Sequence, residues 1–184
     1  MKTESTVRYV LRLTVTLLLI TGLMAAVLAG VNAITAPRIA EITAQKTINA
    51  IAAVLPDADT AVEVEFTDDT GLVTTVYESD SGYAITVTPS GFNGTVEMMV
   101  GVSKDGAVTG VSVIKQTETA GLGAVSAAKT AKGEAFRNQF VGMSGELAVS
   151  KDGGQVDALT GATITSRAVV KGVNAALACA ANLG

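Results

Sequence analysis

Between Leu13 and Pro37 the chain carries no charged side chain, and no other feature limits its fold so strongly. The run reads LTVTLLLITGLMAAVLAGVNAITAP. As a helix rising about 1.5 Å per residue it reaches roughly 37 Å, enough to cross a bilayer with some tilt. A cleaved signal peptide has a shorter apolar stretch, so the segment reads as an uncleaved signal anchor. Lys2, Arg8 and Arg12 precede it and only Arg38 follows closely. That bias of basic residues leaves the N-terminus in the cytoplasm and the rest of the chain outside. Gly22, Ala26 and Gly30 recur at four-residue spacing. Such spacing suits close helix packing in lipid, although small residues are also common in transmembrane helices generally.

From Ile39 onward there are 9 basic and 16 acidic residues, a net charge of −7. Nucleic acid, or a second electrostatic contact with a membrane surface, calls for the opposite sign in clusters. Cys179 is the only cysteine and there is no histidine. A disulfide framework, an iron–sulfur cluster, Cys/His zinc, histidine-ligated haem and histidine-dependent triads are therefore excluded within one chain. The neighbours of Cys179 are small or apolar, which reads as an inert buried thiol. A redox group here is then organic or shared with another subunit.

The residues after the span, RIAEITAQKTINAIAAVLPDAD, place Ile39, Ile42, Ile48, Ile51 and Leu55 on one helical face until Pro56 and Asp57 end it. Beyond about residue 61 come short β-branched runs: AVEVEF, LVTTVYE, YAITVT, TVEMMVGVS and AVTGVSVIK. They are separated by turn-forming clusters, among them Asp105-Gly106, a strong hairpin signal. A helix is expected within AVSAAKTAKGEAFRNQFVGM, and a final one to about Ala181. The expected organisation is a cytoplasmic segment 1–12, a transmembrane anchor 13–37, a helical stalk 38–58 and an outer α+β domain 59–184.

Two loops hold residues that strands and helices do not explain. QTETAGLGA, residues 116–124, sets Glu118 and Thr119 before alternating glycines, which allow tight turning and close approach to a ligand. DALTGATITSRAVVKGVN, residues 157–174, sets hydroxyls around a Gly-Ala-Thr step at the start of a helical pattern. Thr163 reads first as a helix cap, and the stretch could cap, cradle a phosphate at the helix N-terminus, or do both.

The run Asp157, Ala158, Leu159, Thr160, Gly161, Ala162, Thr163 fits the pattern D-x-x-[ST]-G-A-T, at which a flavin transferase joins FMN by a phosphoester to the last threonine. It resembles the FMN-binding domain family, found in the G subunit of Rnf ion-translocating electron transport complexes and in the C subunit of the Na+-translocating NADH:quinone reductase. The upstream GFNG, the Asp-Gly hairpin and ETAGLG are similar to that family's further motifs, so the resemblance covers roughly residues 82–176. Ala120 stands where the family usually has proline, Phe92 where it has another aromatic, and a histidine often found before the glutamate is missing.

The resemblance implies a single-pass anchor in the cell membrane, followed by a small extracytoplasmic domain of antiparallel sheet and helices that carries FMN on Thr163. It implies that Glu118, Thr119, Gly121, Leu122 and Gly123 border the isoalloxazine, with Leu122 on its face. It further implies that Gly161 and Ala162 keep the chain slim for the transferase, and that Asp157 assists attachment. Thr160, Thr165 and Ser166 are candidates for phosphate or ribityl contacts, capping being their alternative role. Phe92 reads as a core aromatic more readily than as a ring contact. No metal ligand and no catalytic residue of its own is expected.

The implied function is an electron-carrier subunit of an Rnf-type complex coupling ferredoxin:NAD electron transfer to Na+ or H+ translocation. Its partners would be the other subunits, the membrane and the transferase. The C subunit of the quinone reductase, which is generally longer, is the close alternative. A non-redox membrane-anchored module holding a phosphate-bearing ligand is the distant one.

Overall fold

A computed structural model describes residues 2–183, with side chains from Thr6 onward. Met1, Gly184 and the Lys2 side chain, on which parts of the expected segment limits and orientation rest, lie outside the described residues. The chain is α+β: a long N-terminal helix, then an antiparallel five-stranded sheet with two further α-helices. It separates into two compact units, residues 1–45 and 46–184.

In the first unit, α1 (Lys2–Val54) begins, and it runs on into the second. The expected anchor and stalk form one helix with Pro37 inside it that ends at Val54 rather than at 58, ahead of Pro56; a single proline inside the helix removes one backbone bond while the turns on either side keep theirs. From Thr6 this helix is long and apolar enough to cross a membrane. Its apolar side chains from Val7 to Ile34 are exposed, as a lipid-facing surface requires. Threonines 14, 16, 21 and 35 turn their hydroxyls onto carbonyls one turn back, so no polar atom of theirs is left for lipid.

The second unit is built on a meander, β1 (Val62–Val64), β2 (Val73–Glu78), β3 (Gly82–Val87), β4 (Glu97–Ser103) and β5 (Val108–Lys115), paired in chain order. All five expected strands form. Asp105-Gly106 makes the β4–β5 turn, with Gly106 at φ 78° and its N–H on the Ser103 carbonyl at 2.9 Å. One sheet face is covered by α3 (Thr163–Leu183), through Val169, Val173, Ala176 and Ala180, four buried positions spaced for one helical face. Gly172 allows the close approach, since a Cβ there would lie 3.0 Å from Pro89 Cγ and 3.1 Å from Val87 Cγ2.

The other face receives the last turns of α1. Ala50, Ile51, Val54 and Leu55 are buried together with Ala84 and Met99. Ile39, Ile42 and Ile48, expected on the same stripe, are exposed. Gly101 and Gly110 face each other across β4 and β5 and make the slot: a Cβ on Gly101 would come 2.5 Å from the Val54 carbonyl oxygen. Thr109 Oγ1 donates to that carbonyl at 2.5 Å and satisfies one orphan acceptor of the helix end.

The helix expected over 124–143 is broken. A 3₁₀ turn at Gly123–Ala127 is followed by α2 (Ala131–Asn138), with Thr130 extended between them. Thr130 restarts the helix as its cap, its hydroxyl accepting from Gly133 N–H at 3.3 Å. Phe136 and Phe140 of this region pack edge to face at 5.7 Å inside the core. Cys179 is buried in the same core, and desolvation there raises its thiol pKa, the Asp68 charge adding to the effect.

Candidate functional site

The two glycine-bearing loops meet at the N-terminal end of α3. Gly161 is left-handed, φ 76°, and its place just before the helix turns the chain so that Ala162 closes the first turn, accepting from Ser166 N–H at 3.0 Å. Ser166 fixes the approach: its hydroxyl accepts from Leu159 N–H and donates to the Ala162 carbonyl, each at 2.9 Å. Gln139 holds the start of the motif, accepting from Asp157 N–H at 2.8 Å and donating to the Asp157 carbonyl at 3.2 Å.

Thr163 is the first residue of α3 rather than the residue before it. Its hydroxyl makes no cap bond; Oγ1 accepts from Lys151 Nζ at 3.1 Å. Ala162, at the cap position, has no side-chain acceptor to offer. Among the described residues no acceptor meets the N–H groups of Thr163, Ile164 or Thr165. The capping role weighed for Thr163 is therefore not the one it fills.

Glu118 is the keystone of the facing loop. It is buried, at 7% exposure, with Oε1 accepting from Asn93 N–H at 2.9 Å and Oε2 from the Thr165 hydroxyl. One carboxylate thus ties the GFNG turn, the ETAGLG loop and the first turn of α3 together. Asn93 adds a second tie, exchanging hydrogen bonds with Thr117 at 2.8 and 3.0 Å. Gly91 and Gly123 are required here, because a Cβ at either would press on the Glu118 carboxylate, at 2.5 and 2.6 Å.

Between these loops lies a pocket of about 370 Å³. Its walls include Glu118, Thr119, Leu122, Gly123, Gly161, Ala162, Thr163 and Thr165, eight of the residues singled out from sequence. Gly121, Asp157, Thr160 and Ser166 are outside the wall: the first three are exposed, and Ser166 is fully buried behind it. Phe92 is corrected from a core aromatic to a pocket residue 67% exposed, because the GFNG turn is held at the surface by Asn93. Lys151 and Ile164 also line the pocket and were not anticipated. Ile164 follows Thr163 directly, so its position was readable; Lys151 arrives through tertiary contacts that leave no sequence signal.

The pocket wall combines two kinds of chemistry. Leu122, Phe92 and Ile164, each 43% exposed or more, give an apolar side. Thr163, Lys151 and the unmatched N–H groups give a side suited to an anion. Glu118 is the one carboxylate in the wall, and both its oxygens are engaged. A flavin nucleotide has the same polarity, a flat apolar ring system and a phosphate. Gly161, where a Cβ would meet Leu122 Cδ2 at 2.9 Å, lets the two loops lie close together. The donor set and the glycine-lined cradle fit FMN.

Residues 91–178 match the FMN-binding domain family, an interval containing every wall residue of the pocket. The chain is 34% identical over 200 residues to the G subunit of the Na(+)-translocating ferredoxin:NAD(+) oxidoreductase complex of Acetobacterium woodii, covering 96% of this chain and 94% of that protein. It is 33% identical over 174 residues to the G subunit of the ion-translocating oxidoreductase complex of Methanosarcina acetivorans, covering 89% and 90% of the two chains. The corresponding G subunit of Aliivibrio fischeri is 46% identical over 101 residues, about half of each chain. The first two of these alignments span both chains nearly end to end, and the chain belongs to the family of G subunits of ion-translocating oxidoreductase complexes.

Proposed function

We propose that this chain is the membrane-anchored electron-carrier subunit of an Rnf-type complex and holds FMN by a phosphoester on Thr163. The observation that carries this reading is the Thr163 hydroxyl itself. It stands on the pocket wall at a helix N-terminus, is not used as a cap, and among the described residues its one hydrogen bond is from the Lys151 ammonium. FMN, when bound, supplies reversible electron transfer that no side chain of this protein can supply. The chain's own residues hold and orient it. The first-turn N–H groups of α3 and Lys151 favour the phosphate charge, and Leu122, Phe92 and Ile164 offer apolar area to the ring system. Glu118, engaged with both Asn93 and Thr165, fixes the spacing of the two walls.

The wider assignment rests on the relatives. They are named as subunits of ion-translocating oxidoreductase complexes, one of them specifically of a Na+-translocating ferredoxin:NAD+ oxidoreductase. By that kinship the chain serves an oxidoreductase of the same type, coupled to Na+ or H+ movement, and completes no reaction alone. Residues 1–12 are cytoplasmic, 13–37 cross the membrane, 38–54 continue the same helix, and 59–184 work outside. A covalent tether there prevents loss of a cofactor that has no surrounding pool to replace it. The other subunits and a flavin transferase are its partners.

The test is colour. Chain matured with an active transferase should stay yellow and fluorescent through acid precipitation and a denaturing gel, and should bleach with dithionite and recover in air. Colour released by acid would place the flavin in a reversible site. Irreversible bleaching would remove the carrier function.

A further inference from the structure

Lys151 belongs to no motif, yet its ammonium rests on the one atom to which the ester is assigned, Thr163 Oγ1, at 3.1 Å. The surroundings hold it there. It sits in the 3₁₀ turn Ser150–Asp152, whose base is closed by Ser150 N–H on the Val156 carbonyl at 2.8 Å and whose exit is the left-handed Gly153. The next residue, Asp152, is taken by Arg167 of α3 through two bonds of 2.7 and 2.6 Å. That pair pins the turn to the helix and engages the carboxylate next to Lys151 in the chain. Lys151 takes part in none of the ion pairs among the described residues, and it is the only cation in the pocket wall. A full positive charge held on a neutral hydroxyl is underused; the same charge beside a phosphodiester anion is a charge-assisted pair.

We propose that Lys151 is the counter-ion of the phosphodiester at Thr163, a positioning residue that draws the phosphate onto the hydroxyl and holds the finished ester against the start of α3. This rests on Thr163 as the attachment site. In attachment the bond from Oγ1 to the flavin-side phosphorus forms as the pyrophosphate bond of flavin adenine dinucleotide breaks, the adenosine monophosphate half leaves with the bridging oxygen, and the hydroxyl proton passes to solvent or a base. Lys151 keeps its proton throughout and acts by charge. Asp152 and Arg167 position Lys151 and do not meet the ester.

The test uses the full chain with limiting transferase and flavin adenine dinucleotide, the modified fraction being followed by intact mass. Lys151→Gln should slow attachment about tenfold and Lys151→Glu more, while Lys151→Arg should recover most of the rate. Lys171→Gln, the same charge change placed on α3 outside this pocket wall, should match the parent. On fully modified chains the 31P resonance of the ester should move in Lys151→Gln and stay put in Lys171→Gln, a difference that a merely structural role would not produce. Lys151 is exposed with one side-chain bond, and the parent melting temperature should persist in Lys151→Gln. If the parent is modified on Thr163 while Lys151→Gln keeps its rate and its 31P resonance, the counter-ion role is overturned and Thr163 stands. If the parent is not modified at all, both fall together.

Discussion

At the scale of residues, Glu118 shows how a group can be essential to a ligand site without being spare for the ligand. Its two oxygens are committed to Asn93 N–H and the Thr165 hydroxyl, and it is nearly buried. Glu118→Ala would leave both donors without a partner and should lower stability by about 2–4 kcal/mol. Glu118→Gln keeps the shape and one acceptor and should lose about half as much. Thermal melts read the loss, and faster amide exchange at Asn93 would locate it; equal melts for Ala and parent would contradict the keystone role. The sequence made the importance of Glu118 legible and left its role open, because a buried carboxylate in a glycine-rich loop reads the same whether it faces a ring or a neighbouring turn. Ser166 carries the same lesson, as its hydroxyl is spent on Leu159 and Ala162.

Among elements, the strands were legible because each is a short β-branched run closed by turn residues, and the β4–β5 hairpin carried its own Asp-Gly signature. The break before α2 was not, since AVSAAKTAKGEAF has helical composition throughout and only the hydroxyl of Thr130 against Gly133 N–H marks the new start. The end of α1 was half legible: the apolar stripe was visible, but not that only Ala50, Ile51, Val54 and Leu55 meet the sheet. That contact depends on the paired Gly101 and Gly110, whose bare backbones receive the helix. Gly101→Val should therefore destabilise the second unit by about 1–3 kcal/mol through overpacking. Proteolysis should then open the chain near residues 50–55 in preference to the β3–β4 pairing. Unchanged melting and unchanged cleavage would show that the helix end does not need the slot.

For the whole molecule, acid should act through carboxylates that the fold holds ionised. Partial burial works to raise the pKa of Asp68, but bonds from the Thr70 hydroxyl and from the N–H groups of Val73, Thr70 and Leu72 outweigh it and keep it below its ordinary 3.8. Asp57 is lowered chiefly by the Ser81 hydroxyl, against some desolvation, with Ser81 N–H and the Ser79 hydroxyl adding to the effect. A carboxylate depressed in the folded state contributes stability that is complete above its unfolded pKa and lost as pH falls through the folded value. Stability should hold near neutrality and decline below about pH 4, and Asp68→Asn should flatten that decline while weakening the fold at neutral pH. A parallel decline in parent and Asp68→Asn would assign the acid sensitivity to other groups. The central claim spans every scale: a lipid-anchored chain presenting one hydroxyl, at one helix start, to one cofactor. Trypsin cuts after Lys151 and Arg167, releasing residues 152–167 with the whole motif. The most direct measurement is fragment mass spectrometry of that peptide from chain matured with transferase, beside Thr163→Val. The account predicts an added FMN less water on Thr163 and none in the variant; the same mass on Thr160 or Thr165, or retained in Thr163→Val, would contradict it.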